Sequence, residues 1–387
     1  MSPSSKIKHL EGLRGLAALA VCIYHFLYAF YSNPITGATI HTPLQLYLYR
    51  FPLRVLVGGD AAVYIFFLLS GFVLCARFFK TQDSSYVVKS AATRYFRLAI
   101  PVLASIAIAY LFMQFHVFSN SNIFIWSDVR WLNTFWQFKP ELHAMLYQAL
   151  IGVFINPPAV TAGPLSYNPI LWTMYYEFFG SFLVFLFLLL FGKAKRRWII
   201  YGIFLLIFLN SFFLGFIVGM LFCDIYYSIR FGKKLEKFFP RTSLIYALAL
   251  VLGLFMITYT NPIKLTLLGY STDSFINFYN VNHVIGSMLI FVSVWCLKPV
   301  KNFLSNNVIQ YLGKISFSLY LLHFIVLGSF SCVFFKYFIQ YFGFNSSFIL
   351  TFSFSLVLLF ISSSIFYKYV DRFSIIYPKK IVGMFLK

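Results

Sequence analysis

The stretch Leu10 to Phe26, LEGLRGLAALAVCIYHF, puts Arg14 and His25 inside an otherwise apolar run. Eleven positions at about 100° each come to roughly 20° beyond three full turns, so on a helix the two side chains share one stripe, about 16 Å apart. A guanidinium near one end of a membrane span and an imidazole deep within it are costly in lipid. Both belong against protein or a wet cavity and are candidates for function. Arginine suits phosphate, and histidine titrates near working pH.

Two more ionisable groups fall inside apolar runs. Glu177 stands about two turns from the outer end of the fourth expected span and is read as the only carboxylate well inside one. Buried alone it would be costly, so a histidine, arginine or tyrosine is expected beside it. His323 stands about two turns from the inner end of the ninth.

Composition says what surrounds these residues. The chain is 60% hydrophobic and only 11% charged, with 51 phenylalanines; a soluble domain averages about 25% charged. Apolar runs recur along the whole length, so the expected fold is all-α, a polytopic integral membrane helical bundle forming one domain over residues 1–387. A lipid-facing backbone has to satisfy its own hydrogen bonds. We expect ten spans, at Leu10–Tyr31, Asp60–Phe79, Leu98–Phe118, Ile170–Phe191, Trp198–Leu209, Phe212–Ile229, Ser243–Tyr259, His283–Leu297, Ile315–Tyr337 and Phe348–Tyr369. Asn210-Ser211 reads as a tight turn between the fifth and sixth.

The excess of 31 Lys+Arg over 10 Asp+Glu could suggest nucleic acid. Here the basic residues sit in short clusters between apolar runs, so no nucleic-acid partner is expected. With the N-terminus inside, the inner gaps hold Lys80, Lys89, Arg94 and Arg97, then Lys193, Lys195, Arg196 and Arg197, then Arg230, Lys233, Lys234, Lys237 and Arg241, then Lys298, Lys301 and Lys314. Both ends are basic too, from Lys6 and Lys8 to Lys379, Lys380 and Lys387. The outer gaps hold only Arg50, Arg54, Arg130, Lys139, Lys264 and Lys336. Both termini are therefore expected in the cytoplasm. Lys6 and Lys8 before an apolar run mimic a signal peptide, but Arg14 interrupts the run and hydrophobicity continues to Tyr31.

Cys22, Cys75, Cys223, Cys296 and Cys332 all lie in or beside apolar spans without a CxxC, so they read as small core residues. The seven histidines form no HExxH or similar spacing, so no metal site is expected. There is no Walker loop, GxGxxG after a strand or GxSxG elbow. The largest segment between spans, about residues 119–169, carries Trp126, Trp131, Trp136, Asp128, Glu141 and His143. It is either an aromatic belt on the headgroups or a lid and saccharide platform. Within it, Leu142 to Ile155 could be an interfacial or re-entrant helix.

Five stretches, in order, resemble the membrane acyltransferase-3 family. They are Arg14 and His25 in GLRGLAALAVCIYHF, IFFLLSGFVL from Ile65, RYFRLAIP with Arg94, Arg97 and Pro101, LWTMYYEFF with Trp172 and Glu177, and LGKISFSLYLLH with Gly313, Ser318, Tyr320 and His323. Two departures are Tyr64, where many relatives have an acid, and Asp371-Arg372-Phe373, where an acidic-basic-proline close is usual. The resemblance implies an integral membrane O-acyltransferase, in a bacterial inner (plasma) membrane, moving an acyl group onto a cell-surface saccharide or glycolipid acceptor. It further implies acetyl-CoA or another acyl-CoA as co-substrate, no bound cofactor, membrane lipid around the chain, and action alone, as a homo-oligomer or with a separate acyl-accepting partner.

Acyl transfer from a thioester to a hydroxyl needs a base and a site for an anionic donor. Under this reading Arg14, Arg94 and Arg97 bind donor phosphates at the inner face. His25 and His323 are the candidate bases, Glu177 orients His25 or binds acceptor, and Trp172 and Tyr320 pack or stack on acceptor. Each has a plainer alternative: a cytoplasmic anchor for Arg94 and Arg97, snorkelling for Arg14, helix pairing for Glu177, and satisfied burial for the histidines. Two other functions are a transporter or flippase for a lipid-linked glycan, using Arg14, His25 and Glu177 as a relay, and a non-catalytic scaffold. No inverted repeat supports the first, and the intramembrane ionisable groups argue against the second.

Overall fold

The computed structural model describes residues 7–31, 47, 51–121, 123–127, 129–228, 243–258 and 278–385. The expected inner gap from Arg230 to Arg241 lies outside them, as do Lys6, Arg50, Asp128, Lys264 and Lys387. Among the described residues every regular element is helical. Among the same residues seven helices are long and apolar enough to cross a membrane, with four shorter apolar ones besides; this is an integral membrane protein.

Short single turns aside, the helices in chain order are α1 (Lys8–Phe30), α2 (Gly59–Thr81), α3 (Ser84–Gln114), α4 (Leu142–Ile155), α5 (Thr173–Phe191), α6 (Arg197–Ile207), α7 (Phe213–Ser228), α8 (Ser243–Thr258), α9 (Phe278–Cys296), α10 (Lys298–Leu304), α11 (Asn307–Phe338), α12 (Phe344–Phe366) and α13 (Arg372–Phe385). Four of them contain or adjoin one of three π turns: Gln148–Gly152 in α4, Leu327–Ser331 in α11, and Tyr367–Asp371 joining α12 to α13.

α9 and α11 begin earlier than expected, at Phe278 and Asn307, and two boundaries differ more widely. α3 begins at Ser84, not Leu98, and runs for 31 residues. Lys89, Arg94 and Arg97 lower the hydropathy of its first half, but lysine and arginine are good helix formers. Asp83 caps it: its carboxylate accepts from the Ser85 hydroxyl at 2.7 Å and the Ser85 amide at 2.9 Å. These bonds hold the Asp83 carboxyl below its ordinary range, the hydroxyl bond contributing most. The helical path after Phe344 also outruns the expected tenth span, passing through a π turn to Phe385.

Two compact units divide the chain. The first holds Met1–Ala17, Asp60–Ala92 and Phe179–Gly313; the second holds Ala18–Gly59, Thr93–Phe178 and Lys314–Lys387.

In the first unit α2 and α7 cross backbone to backbone. A Cβ on Gly71 would overlap the Phe216 carbonyl, and one on Gly219 the Leu68 carbonyl. α8 and α9 meet likewise, a Cβ on Gly253 falling 2.8 Å from the Gly286 oxygen. Lipid is as apolar as the side chains, so such close packing is what joins helices. At the head of α6, Arg197 clamps Asp224 of α7, Nε to Oδ2 at 2.5 Å and Nη2 to Oδ1 at 2.8 Å, and Ser228 bonds to both. Asp224 is fully buried. It corrects the expectation that Glu177 is the only carboxylate well inside a span.

In the second unit α4 runs antiparallel along α3. Gln114 donates to the Pro140 carbonyl at 3.3 Å, and nearer the other end of α3 Tyr95 donates to the Leu150 carbonyl at 2.7 Å. Much of the supposed outer loop is thus helix packed on helix. The rest is pinned to α11: the Ser119 amide donates to the Gly328 carbonyl at 3.0 Å, and Lys336 donates to Ser119 and Ser121. α11 and α12 join through Ser355 and Ser331, 2.7 Å apart.

Arg197→Ala leaves a buried carboxylate without its cation and is expected to cost about 3–5 kcal/mol. That would be read as a lowered thermal midpoint of the detergent-solubilised protein. Arg197→Met with Asp224→Leu is expected to regain most of the loss. An unchanged midpoint in the single variant would show that the pair does not hold the α6–α7 hairpin.

Candidate active site

His25 and His323 meet in the second unit, with His323 Nε2 3.0 Å from His25 Nδ1. The neighbouring carbonyls determine which nitrogens carry protons. His323 Nδ1 lies 2.6 Å from the Tyr320 carbonyl, which can only accept. Nδ1 of His323 therefore carries hydrogen, and its Nε2 is an acceptor. His25 Nδ1 then lies between two acceptors, that Nε2 and the Val21 carbonyl at 3.0 Å, so it too carries hydrogen. Nε2 of His25 is left as a bare lone pair, with no hydrogen-bond partner among the described residues. His323 is fully buried while the His25 ring is half-buried. One imidazole is thus oriented by the other, and Nε2 of His25 is the basic nitrogen of the pair.

The turn carrying His323 is held by the segment entering α5. The Tyr320 hydroxyl donates to the Ile170 carbonyl and lies 2.7 Å from Thr173 Oγ1. Asn168 Nδ2 donates to the Leu321 carbonyl at 2.9 Å. Tyr320 is buried and its hydroxyl is committed there; Trp172 is half-buried, edge-on to Tyr176.

The three arginines are all matched with carboxylates. Arg94 Nη2 donates to Glu177 Oε1. The basic partner expected for Glu177 is therefore Arg94, 83 positions away. The pairing puts the two side chains at one level, whereas Arg94 is expected in the inner gap and Glu177 two turns from the outer end of its span. Arg94 lies ten residues, about 15 Å, into α3, because that helix starts at Ser84. Arg97 Nη1 donates to Asp371 Oδ1 and to Ser374 Oγ, each at 2.6 Å, and its guanidinium lies over Phe317. Arg14, in the first unit, meets Glu11 one turn back at 3.5 Å, and 29% of its side chain stays exposed.

Aromatic rings surround His25. Trp131 lies parallel to it within 13°, centroids 5.9 Å apart, with Tyr28 and Phe324 edge-on to the indole. Trp136 is spent internally: it stacks on Phe118 at 4.0 Å, and its indole donates to the Tyr167 carbonyl. Two of the loop's tryptophans, Trp131 and Trp136, are thus packed against other rings of the second unit.

Sequence reasoning singled out Arg14, His25, Arg94, Arg97, Trp172, Glu177, Tyr320 and His323. The structure joins His25 with His323 and Arg94 with Glu177, and sets Tyr320 behind the histidines. It missed Glu11, Asn168 and Thr173 and gave Asp371 no role. Glu11 was legible, being three positions before Arg14 on the same helical face; the others depend on long-range packing. Among the described residues no cluster of three or more His, Cys, Asp or Glu is arranged to hold a metal.

Comparison with known proteins identifies the family. The chain is 23% identical to the O-acetyltransferase PaAT-1 of Phomopsis amygdali, over 81% of this chain and 71% of that protein. No solved structure matches. The family model described as an acyltransferase domain matches residues 7–368, nearly the whole chain. That match and the apolar helices lead to one conclusion: this chain belongs to the acyltransferase-3 family and is a membrane-embedded acyltransferase.

Proposed function

We propose that the protein is an O-acyltransferase that moves an acetyl group from cytoplasmic acetyl-CoA to a hydroxyl of a saccharide or related acceptor. The observation that carries this reading is the bare Nε2 of His25, aimed by His323. The acetyl group and the hydroxyl acceptor draw support from the similarity to an O-acetyltransferase.

In this reading His25 Nε2 takes the acceptor's hydroxyl proton as the oxygen attacks the thioester carbonyl. The new C–O bond forms, the C–S bond breaks, and the leaving thiolate takes the proton back from His25, so ester and free CoA are the products. The positive charge passing through His25 is stabilised at Nδ1 by the Val21 carbonyl and the His323 lone pair. His323 acts through His25 and is a positioning residue. Tyr320 holds His323 in place.

Of the three arginines we assign the donor phosphates to Arg14. Its contact with Glu11 is long and partly exposed, so an anion could replace the carboxylate. Arg94 and Arg97 are each closely paired with a carboxylate and serve as intramembrane struts. Ten spans with both termini in the cytoplasm fit the basic gaps and would put Arg14 near the inner face.

His25→Gln keeps polarity but cannot serve as a base at Nε2. It is expected to lose 10²–10⁴-fold in transfer, roughly, while calorimetry still finds acetyl-CoA bound. A glutamine variant with more than about a tenth of normal turnover would remove His25 as the base. Arg14→Ala is expected to weaken acetyl-CoA binding about tenfold, the loss of one charge-assisted phosphate contact; unchanged affinity would move the donor site elsewhere. Single cysteines at positions 195 and 133 are expected to react only from the inside and only from the outside, respectively. External labelling at 195 in intact cells would overturn the topology.

A further inference from the structure

The first unit carries a cleft that no proposed catalytic or donor-binding residue lines. Its wall comes from Phe72 of α2, Phe222 and Tyr226 of α7, and Phe291, Trp295 and Cys296 of α9, and it encloses about 300 Å³, mouth included. Phe222 meets Phe291 at 5.6 Å, and one turn further on Tyr226 meets Trp295 at 4.7 Å. The two helices therefore run parallel, and the cleft occupies the last two turns of each. Phe72 closes the back, 5.3 Å from Phe291. The cleft is thus a gap between rings that hold one another, and its wall is apolar throughout. Phe222, Tyr226, Trp295 and Cys296 are half-buried, so it opens at the surface of the unit.

A cation stands at its edge. α10 follows α9 after a single residue, Leu297, and the Lys301 amide donates to the Leu297 carbonyl at 2.9 Å. Lys301 is thereby brought close enough to act electrostatically on Cys296 and on His9, whose ring stands edge-on to Trp295 at 4.8 Å. Lys301 is half-buried, yet its ammonium has no ion pair and no hydrogen bond among the described residues. At the same end His9 Nε2 is buried, also without a hydrogen-bond partner among them. A partly buried charge without a counter-ion is costly, and an anion placed there relieves the cost.

An apolar gap with an unmatched cation at one end suits an amphiphile with an anionic head. A phospholipid and an acyl-CoA both carry phosphate, and the wall decides between them. The pantetheine arm of CoA has two amides that an apolar wall leaves without partners, whereas an alkyl chain has none to satisfy. Aromatic faces can also hold a cation, but Lys301 opposes one here. We propose that this cleft binds an acyl chain of an anionic phospholipid, with the headgroup phosphate held by Lys301 at the membrane face where α7 and α9 end.

Cys296 reports on the cleft. Of the five cysteines it alone is not buried, so N-ethylmaleimide is expected to alkylate it first in the full-length protein in detergent. The modified peptide is followed by mass spectrometry, and the measured quantity is the lipid concentration that halves the alkylation rate. Dioleoyl phosphatidylglycerol is expected to do so at about fivefold lower concentration than dioleoyl phosphatidylcholine, the contribution of one lysine near an anionic headgroup. Lys301→Gln is expected to remove most of that difference, and Lys301→Arg to keep it. The two lipids are compared within each variant, so any change in the thiol's own reactivity cancels. The wild-type comparison stands by itself if the glutamine variant does not fold. Equal protection by both lipids would mean an ordinary lipid contact, and protection by neither would mean that no lipid enters. A difference that survives Lys301→Gln would take the phosphate away from Lys301. Protection by glycerophosphoglycerol, which has the head and no chains, would assign the site to a soluble anion. Protection by acetyl-CoA as strong as by phosphatidylglycerol would assign it to the donor. Each of these results overturns the proposal.

Discussion

Every charge inside a membrane span must be matched by protein, because lipid provides neither water nor counterion. This chain has few acids to spend, 10 against 31 basic residues, and puts several where the need is greatest. Glu177 meets Arg94, Asp371 meets Arg97, and Asp224 meets Arg197. The first two pairs join elements far apart in sequence, and the third joins the neighbouring helices α6 and α7. Breaking one leaves a buried charge uncompensated, so the pairs restrict which packings are tolerated even if their net contribution to stability is small.

The same constraint governs the candidate site. Two adjacent histidines could be a liability, since both charged together would repel. The carbonyls of Val21 and Tyr320 give each ring a defined neutral tautomer and align them in one direction. The ordering extends outward through Tyr320 to Thr173 and Ile170, and through Asn168 to Leu321. The start of α5 thus braces the turn of α11 that bears His323. Two of the motifs that stood apart in the sequence, LWTMYYEFF and LGKISFSLYLLH, belong to one braced assembly.

Much of this was legible in the chain itself. Apolar runs gave away the helices because a membrane span needs little more than length and hydropathy. The polar residues inside those runs drew attention because lipid makes them expensive. What could not be read was pairing. Arg94 was assigned to the inner surface because its neighbours Lys89 and Arg97 interrupt the hydropathy, although the helix continues through all three. Asp371 looked like a departure from a pattern, not a partner, because 274 positions separate it from Arg97. Trp131 and Trp136 were indistinguishable as loop tryptophans; only packing shows that one stacks on His25 and the other on Phe118.

The π turns bear on how this chain is to be aligned with its relatives. A π turn holds one residue more than an α turn, so everything beyond it is rotated by about 100° about the helix axis. Asp371 ends such a turn, at Tyr367–Asp371, and faces Arg97 in that rotated frame. A relative whose helix ran straight through would present the preceding or following position there instead. Matching the two without a one-residue gap inside the helix would pair non-equivalent residues over the last stretch of the chain. The gap belongs within the membrane segment, where alignment rules usually forbid it, and substitutions charted without it would be charted onto the wrong side of the helix.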